Sequence, residues 1–153
     1  MIKQPLHSHA LRKGRYSEPG QIYLITTVTH HRQPLFYDFS LARCVVSALI
    51  NSTATEQADT LAYVIMPDHI HWLMQLKQGN LSRVVQQLKA RSGYEINCLC
   101  QRNGQIWQRG FHDHALRKEE DIKVIARYIV ANPLRAGLVK SIGDYPFWDA
   151  IWL

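Results

Sequence analysis

Hydrophobic and polar residues alternate most cleanly over Tyr63–Leu76, and the rest of the chain is organised around this stretch. Two apolar, β-rich runs flank Met66-Pro67-Asp68, and the second opens with His69-Ile70-His71. Successive side chains of a strand point to opposite faces. His69 and His71 therefore share a face with Leu73 and Gln75, while Ile70, Trp72, Met74 and Leu76 make the buried one. Pro67-Asp68 is turn chemistry, which makes the two runs a hairpin.

Gln21–Thr29, β-branched and aromatic, predicts an earlier strand. Asp38 can cap a helix running to about Gln57, with Leu41, Val45, Ala48 and Leu49 as its apolar stripe. Asn80 caps a second helix, in which Leu81, Val84, Val85 and Leu88 recur at helical spacing. Its outer face carries Arg83, Lys89 and Arg91, Ser92-Gly93 weakens it, and Asn103-Gly104 ends it. A fourth strand is expected at Gln105–Arg109, continuing through Phe111–His114. The last helix begins at Glu119, Glu120 and Asp121, acids suited to the positive end of a helix dipole. It runs on Ile122, Ile125, Ala126 and Ile129 and stops at Asn132-Pro133, because a residue before proline avoids the α region.

The order β-α-β-β-α-β-α predicts an α+β fold, a ferredoxin-like sandwich with two helices on one face of an antiparallel sheet. Those two helices should cover the Ile70/Trp72/Met74 face and leave the His69/His71 face, or its edge, to the third. No repeat or domain boundary interrupts residues 1–153, so one domain is expected. It has a basic arm at residues 1–20 and an aromatic tail at 139–153 carrying Tyr145, Phe147, Trp148 and Trp152.

Composition narrows the function. A hydrophobic content of 46%, with four Trp, seven Tyr and four Phe, indicates a folded globule. The net charge of +6 and pI near 9.4 favour a polyanionic partner, most simply nucleic acid, and arginine, the commoner cation, suits phosphate. Arg12, Lys13 and Arg15 in the arm either follow a phosphate backbone or form a solvated terminus. Three cysteines cannot all pair, and Cys98 and Cys100, two apart on a helix, share no face, which speaks against a zinc knuckle. No run approaches the roughly 18 apolar residues of a membrane span, and the start lacks the apolar core of a signal peptide. A reducing cytoplasm is the expected setting.

Two imidazoles side by side on a strand are either half of a metal site or plain surface polarity. The last helix adds Tyr128 and Asn132, four residues apart and so on one flank. Taken alone, Tyr128 is an amphipathic residue at a packing border. Taken with the histidines, Asn132 offers an amide oxygen as a third ligand, leaving positions for water and a phosphate oxygen. That mixed set suits Mg²⁺ or Mn²⁺ at a phosphodiester, with Tyr128 as nucleophile.

The pattern extends further: His69-Ile-His71 after Met-Pro-Asp, then Trp107-Gln-Arg109, Asp113 and Leu116-Arg117, then Arg127-Tyr-Ile-Val-Ala-Asn-Pro-Leu-Arg-Ala-Gly-Leu138. From about Arg15 to Trp148 this resembles the REP-associated tyrosine transposases, single-tyrosine members of the HUH nuclease superfamily. The resemblance implies metal ligation by His69, His71 and Asn132, and a DNA cleavage in which Tyr128 becomes a 5′-phosphotyrosine. It also implies a partner: single-stranded DNA with the imperfect palindromes called REP hairpins. Arg12, Lys13, Arg15, Arg109 and Arg117 are expected to contact the DNA backbone, with Trp107 stacking on a base. Members usually carry Asn at the position of Asp68, and strand alternation predicts that the Asp68 carboxylate turns away from the histidines. Monomer and homodimer are both compatible with the pattern.

A non-catalytic nucleic-acid-binding ferredoxin-like module is the main rival, although the aromatic signature of the RRM strand is absent. A zinc hydrolase lacks a glutamate placed as general base. His112-Asp113-His114 is a second His-x-His and a rival metal position.

Overall fold

The computed structural model describes residues 17–117 and 119–152. Its elements are β1 (Ile22–Val28), α1 (Phe39–Ala54), β2 (Ala58–Met66), β3 (His69–Leu76), α2 (Leu81–Cys100), β4 (His112–Leu116), α3 (Glu119–Val130), α4 (Asn132–Arg135) and β5 (Trp148–Ala150). The sheet runs β4-β1-β3-β2-β5, every pairing antiparallel. The first four strands in that order are the ferredoxin-like α+β core, as expected, and the aromatic tail adds β5 against β2.

Both caps read from the sequence are made. Asp38 Oδ1 accepts from the Ser40 and Leu41 amides at 2.9 and 3.3 Å, and Asn80 Oδ1 accepts from Arg83 N at 2.8 Å, satisfying donors that a helix start leaves free. Side chains divide between the sheet faces as the alternation predicts. Ile25, Ile70, Trp72 and Met74 pack with Val45, Leu49, Val84 and Leu88 of α1 and α2. Ala62, Val64, Met66 and Leu73 pack with Ile122, Ala126, Ile129 and Val130 of α3. The third helix therefore covers the histidine face.

Four local expectations are corrected. Residues 105–109 are not the fourth strand; they make only the isolated bridge Thr29–Trp107, and β4 begins after Gly110, whose φ of 73° turns the chain. This segment is pinned to α2 by Lys89, which lies on the inward flank with its ammonium donating to the carbonyls of Gln108 (2.8 Å) and Gly110. Ser92-Gly93 does not weaken α2, because Ser92 Oγ donates back to Leu88 O at 2.7 Å and accepts from the indole of Trp107 at 3.0 Å. Finally, the last helix breaks at Ala131 rather than ending at Asn132. Asn132 opens α4 with Pro133 in its first turn, where a missing N–H costs nothing. The side chains of Glu119 and Glu120 lie outside the described residues. No helix among the described residues is long and apolar enough to cross a membrane.

Candidate nuclease site on the histidine face

The hairpin turn sets the first ligand position. Met66 pairs with His69, so Pro67 and Asp68 alone form the loop, and a loop residue escapes the alternation of the ladder. The Asp68 carboxylate consequently folds back over the strand, which corrects the expectation that it turns away. Its Oδ1 accepts from His69 Nδ1 at 2.7 Å and its Oδ2 from Arg32 at 2.8 Å. Burial opposes its charge, but the hydrogen bonds and positive fields of His69 and Arg32 outweigh that and hold the carboxyl below the usual carboxylate range. An ionised carboxylate only accepts, so neutral His69 carries its proton on Nδ1 and keeps its Nε2 lone pair.

Arg32 reaches Asp68 from the short turn His30–Arg32, where His31 and Arg32 hold φ values of 56° and 52°. Left-handed backbone costs a residue with a Cβ about 1–2 kcal/mol. Thr29 sustains it: its amide and hydroxyl both donate to Asp68 O, at 2.9 and 3.1 Å, and the hydroxyl is also 2.8 Å from Gln33 O.

The second ligand position is set by register. Thr26 of β1 stands opposite His71, and its hydroxyl lies 2.8 Å from His71 Nδ1. In the tautomer in which Nδ1 donates to that hydroxyl, Nε2 is again left for an ion. The two rings lie 5.0 Å apart between centroids and 80° to one another, close enough to converge on one ion. Burial, reinforced by the charges of His69 and Arg135, pushes the pKa of His71 down to about 4. The neutral form needed for ligation therefore persists in acid.

A stability prediction follows for the metal-free protein. The unfolded chain takes a proton on His71 near pH 6.5, the folded one only near 4. Stability is thus full above 6.5 and falls as pH drops towards 4, by about 2 kcal/mol once solvent screening is allowed for. Urea midpoints across this window should show a shallower decline for His71→Gln; an equal decline would assign the pH dependence elsewhere.

The third part comes from the break between α3 and α4. Tyr128 is 60% exposed and adds nothing to the core. Arg135 joins it to Asn132: the guanidinium carbon sits 3.7 Å from the Tyr128 ring centroid, and Nη2 donates to Asn132 Oδ1. Arg135 is also near enough to His71 to act on it through its charge. Among the described residues no three His, Cys, Asp or Glu side chains converge on a metal position. Two imidazoles completed by an amide oxygen and water remain a donor set that suits Mg²⁺ or Mn²⁺.

The remaining candidates scatter. Trp107 is 6% exposed, with its indole spent on Ser92 and its ring against Phe36, so it is a core residue and cannot stack on a base. Arg109 and Arg117 are exposed but line different clefts. Arg109 borders a cleft of about 400 Å³ with Lys89 and Tyr94 on the α2 side. Arg117 borders one of about 350 Å³ with His114 and Asp121 on the histidine side. Arg12, Lys13 and Arg15 lie outside the described residues. Sequence reasoning gave no role to Thr26, Arg32 or Arg135. Only Arg135 carried a local signal, three residues from Asn132 and so beside it on a helix.

The chain matches the family model "Transposase IS200 like" over residues 19–132, a span that includes His69, His71, Tyr128 and Asn132. It is 27% identical over 135 residues to a REP-associated tyrosine transposase of Escherichia coli K12, covering 87% of this chain and 78% of that one. A Haemophilus influenzae protein named as a candidate transposase of the same kind is 33% identical over 100 residues, 58% of this chain and 57% of that protein's length. Among solved structures, a REP-associated tyrosine transposase bound to a REP hairpin aligns with a TM-score of 0.73 at 26% identity, over 88% of this chain and 79% of that one. With four of its five strands, its paired histidines and its helix-borne tyrosine inside the matched span, the chain belongs to the IS200-like transposases, with its relatives among the REP-associated tyrosine transposases.

Proposed function

We propose that this transposase cleaves and rejoins single-stranded DNA at REP-type hairpins through a covalent bond to Tyr128. The observation that carries the reading is the pair His69 and His71, each with Nδ1 held by a neighbour (Asp68, Thr26) and Nε2 left over, on the face covered by the helix that bears Tyr128. The likeness to a transposase bound to a REP hairpin supports the choice of DNA.

The phenol of Tyr128 gives up its proton and Oη attacks the scissile phosphorus. The P–O3′ bond breaks as P–Oη forms, and the departing 3′ oxygen takes a proton. One phosphodiester is exchanged for a 5′-phosphotyrosine and a free 3′-OH, so rejoining is the reverse attack and consumes no nucleotide. A divalent ion, Mg²⁺ or Mn²⁺, held by His69, His71 and Asn132, would supply charge neutralisation at the phosphate. Asp68 holds His69 in the ligating tautomer, Thr26 orients the His71 ring, and Arg117, which lines a cleft with His114, would take backbone phosphate.

A labelled hairpin with a single-stranded flank should be nicked in Mn²⁺ and spared in chelator. Hairpin binding with no nicking in any divalent ion would instead make this a non-catalytic DNA-binding module. Asp68 supplies a finer test. Asp68→Ala should weaken Mn²⁺ binding by about 10- to 100-fold, as loss of a carboxylate behind a ligating histidine generally does. Asp68→Asn, which keeps an acceptor, should lose less. Calorimetric titration of the DNA-free protein measures both, and an unaltered Asp68→Ala would mean that His69 needs no support from the turn.

A further inference from the structure

Arg135 holds two groups at once. Its guanidinium covers the Tyr128 ring at 3.7 Å, and it donates to Asn132 Oδ1, the oxygen assigned above to the metal. Among the described residues Arg135 makes no ion pair with a carboxylate, unlike Arg32 with Asp68 or Lys77 with Asp59. An exposed arginine fork that rests on an amide and a ring, next to a nucleophile for phosphate, lacks only the oxyanion pair such a fork is shaped to take.

We infer that Arg135 is the phosphate-sensing residue of this site, engaging Asn132 and Tyr128 while DNA is absent and transferring to a non-bridging oxygen of the scissile phosphate when DNA arrives. The inference rests on the nuclease reading and adds an order of events to it. A guanidinium and a divalent ion repel at one amide oxygen, so the ion binds weakly until the phosphate draws the guanidinium away. DNA and metal thereby favour one another, and the coupling must be equal in both directions.

The test uses the full chain and three proteins: wild type, Arg135→Ala and Arg135→Lys. Mn²⁺ affinity is read by calorimetry with and without a hairpin made uncleavable by a methylene in place of the bridging 3′ oxygen of the scissile bond, which keeps both non-bridging oxygens, and nicking by single turnover. In the wild type the hairpin should tighten Mn²⁺ binding about tenfold, within the usual range of coupling between sites. Arg135→Ala should bind Mn²⁺ more tightly than wild type in the absence of DNA, by roughly three- to tenfold, and show a correspondingly smaller coupling, the direct ion–phosphate part alone remaining. It should also nick on the order of 10²-fold more slowly, the loss expected for one oriented donor at a developing charge. Arg135→Lys keeps the charge without the planar fork and should recover only a minor part of the rate. An Arg135→Ala protein that binds Mn²⁺ no better than wild type when DNA-free, or keeps the full wild-type coupling, overturns the inference while the nuclease reading stands. A wild type that neither binds Mn²⁺ nor nicks overturns the nuclease reading itself.

Discussion

Tyr128→Phe should lower hairpin nicking by at least about 10³-fold and leave hairpin affinity nearly unchanged, since it removes the nucleophile and nothing else. The structure makes this a clean substitution. The Tyr128 ring is exposed and supports no core, and phenylalanine keeps the face on which Arg135 lies, so the shape of the α3–α4 break is preserved. The covalent protein–DNA adduct, seen as a shifted band under denaturing conditions, should disappear along with the nick. Two other tyrosines show what the alternative would look like. Tyr94 is exposed on α2, but on the opposite side of the sheet from His69 and His71. Tyr23 is buried, with its hydroxyl accepting from the amide of Glu18 at 3.3 Å. An adduct that survives in Tyr128→Phe and maps to either of these would remove Tyr128 from the chemistry.

Rules of local periodicity reached most of the architecture and half of the site. Alternation along β3 assigned the faces of Ile70, His71 and Trp72 correctly, and giving α1 and α2 the Trp72 face left α3 the histidine face or its edge, where Ile122, Ala126 and Ile129 pack. Alternation holds only inside a ladder, however. Asp68 lies in the turn, so the rule that turned it away from His69 did not apply, and its carboxylate hydrogen-bonds the imidazole it was expected to avoid. Thr26 is 45 residues from His71, and only strand register brings them together. Residues 105–109 have strand-like composition because Ile106 and Trp107 are buried, yet a buried run can be docked by side chains as well as by a ladder. The same misreading exposed Trp107 as a stacking platform. Lys89 looked like an outer residue because charge was taken to mean solvent, whereas a long stem can carry an ammonium to carbonyls at the edge of the core. Fold class survives such errors because it depends on element order; individual site residues do not, because they depend on where one side chain ends.

The two His-x-His pairs separate more sharply in three dimensions than in sequence, and the largest difference between variants is expected here. Both pairs lie on the same sheet face: His112 stands opposite Thr26, and Thr26 stands opposite His71, in one row across β4, β1 and β3. Two strand spacings put His112 about 10 Å from His71. Among the described residues no three His, Cys, Asp or Glu side chains are grouped to hold an ion, so the two pairs do not make one site. What distinguishes them is support. His69 is fixed by Asp68 and His71 by Thr26, whereas among the described residues no side-chain hydrogen bond fixes His112 or His114 on the edge strand. An unsupported imidazole must be ordered by the ion itself, which weakens ligation. His114 instead borders the cleft with Arg117, where a basic face can hold a DNA phosphate. His69→Ala with His71→Ala should therefore abolish Mn²⁺ binding and metal-dependent nicking together. His112→Ala with His114→Ala should leave Mn²⁺ affinity within about threefold of wild type and weaken hairpin binding, more so at low salt, where phosphate contacts count most. Calorimetry with Mn²⁺ and nicking of one labelled hairpin decide the matter for both proteins. If the second variant loses the ion and the first retains it, the metal belongs to β4, and the assignment of His69, His71 and Asn132 is wrong.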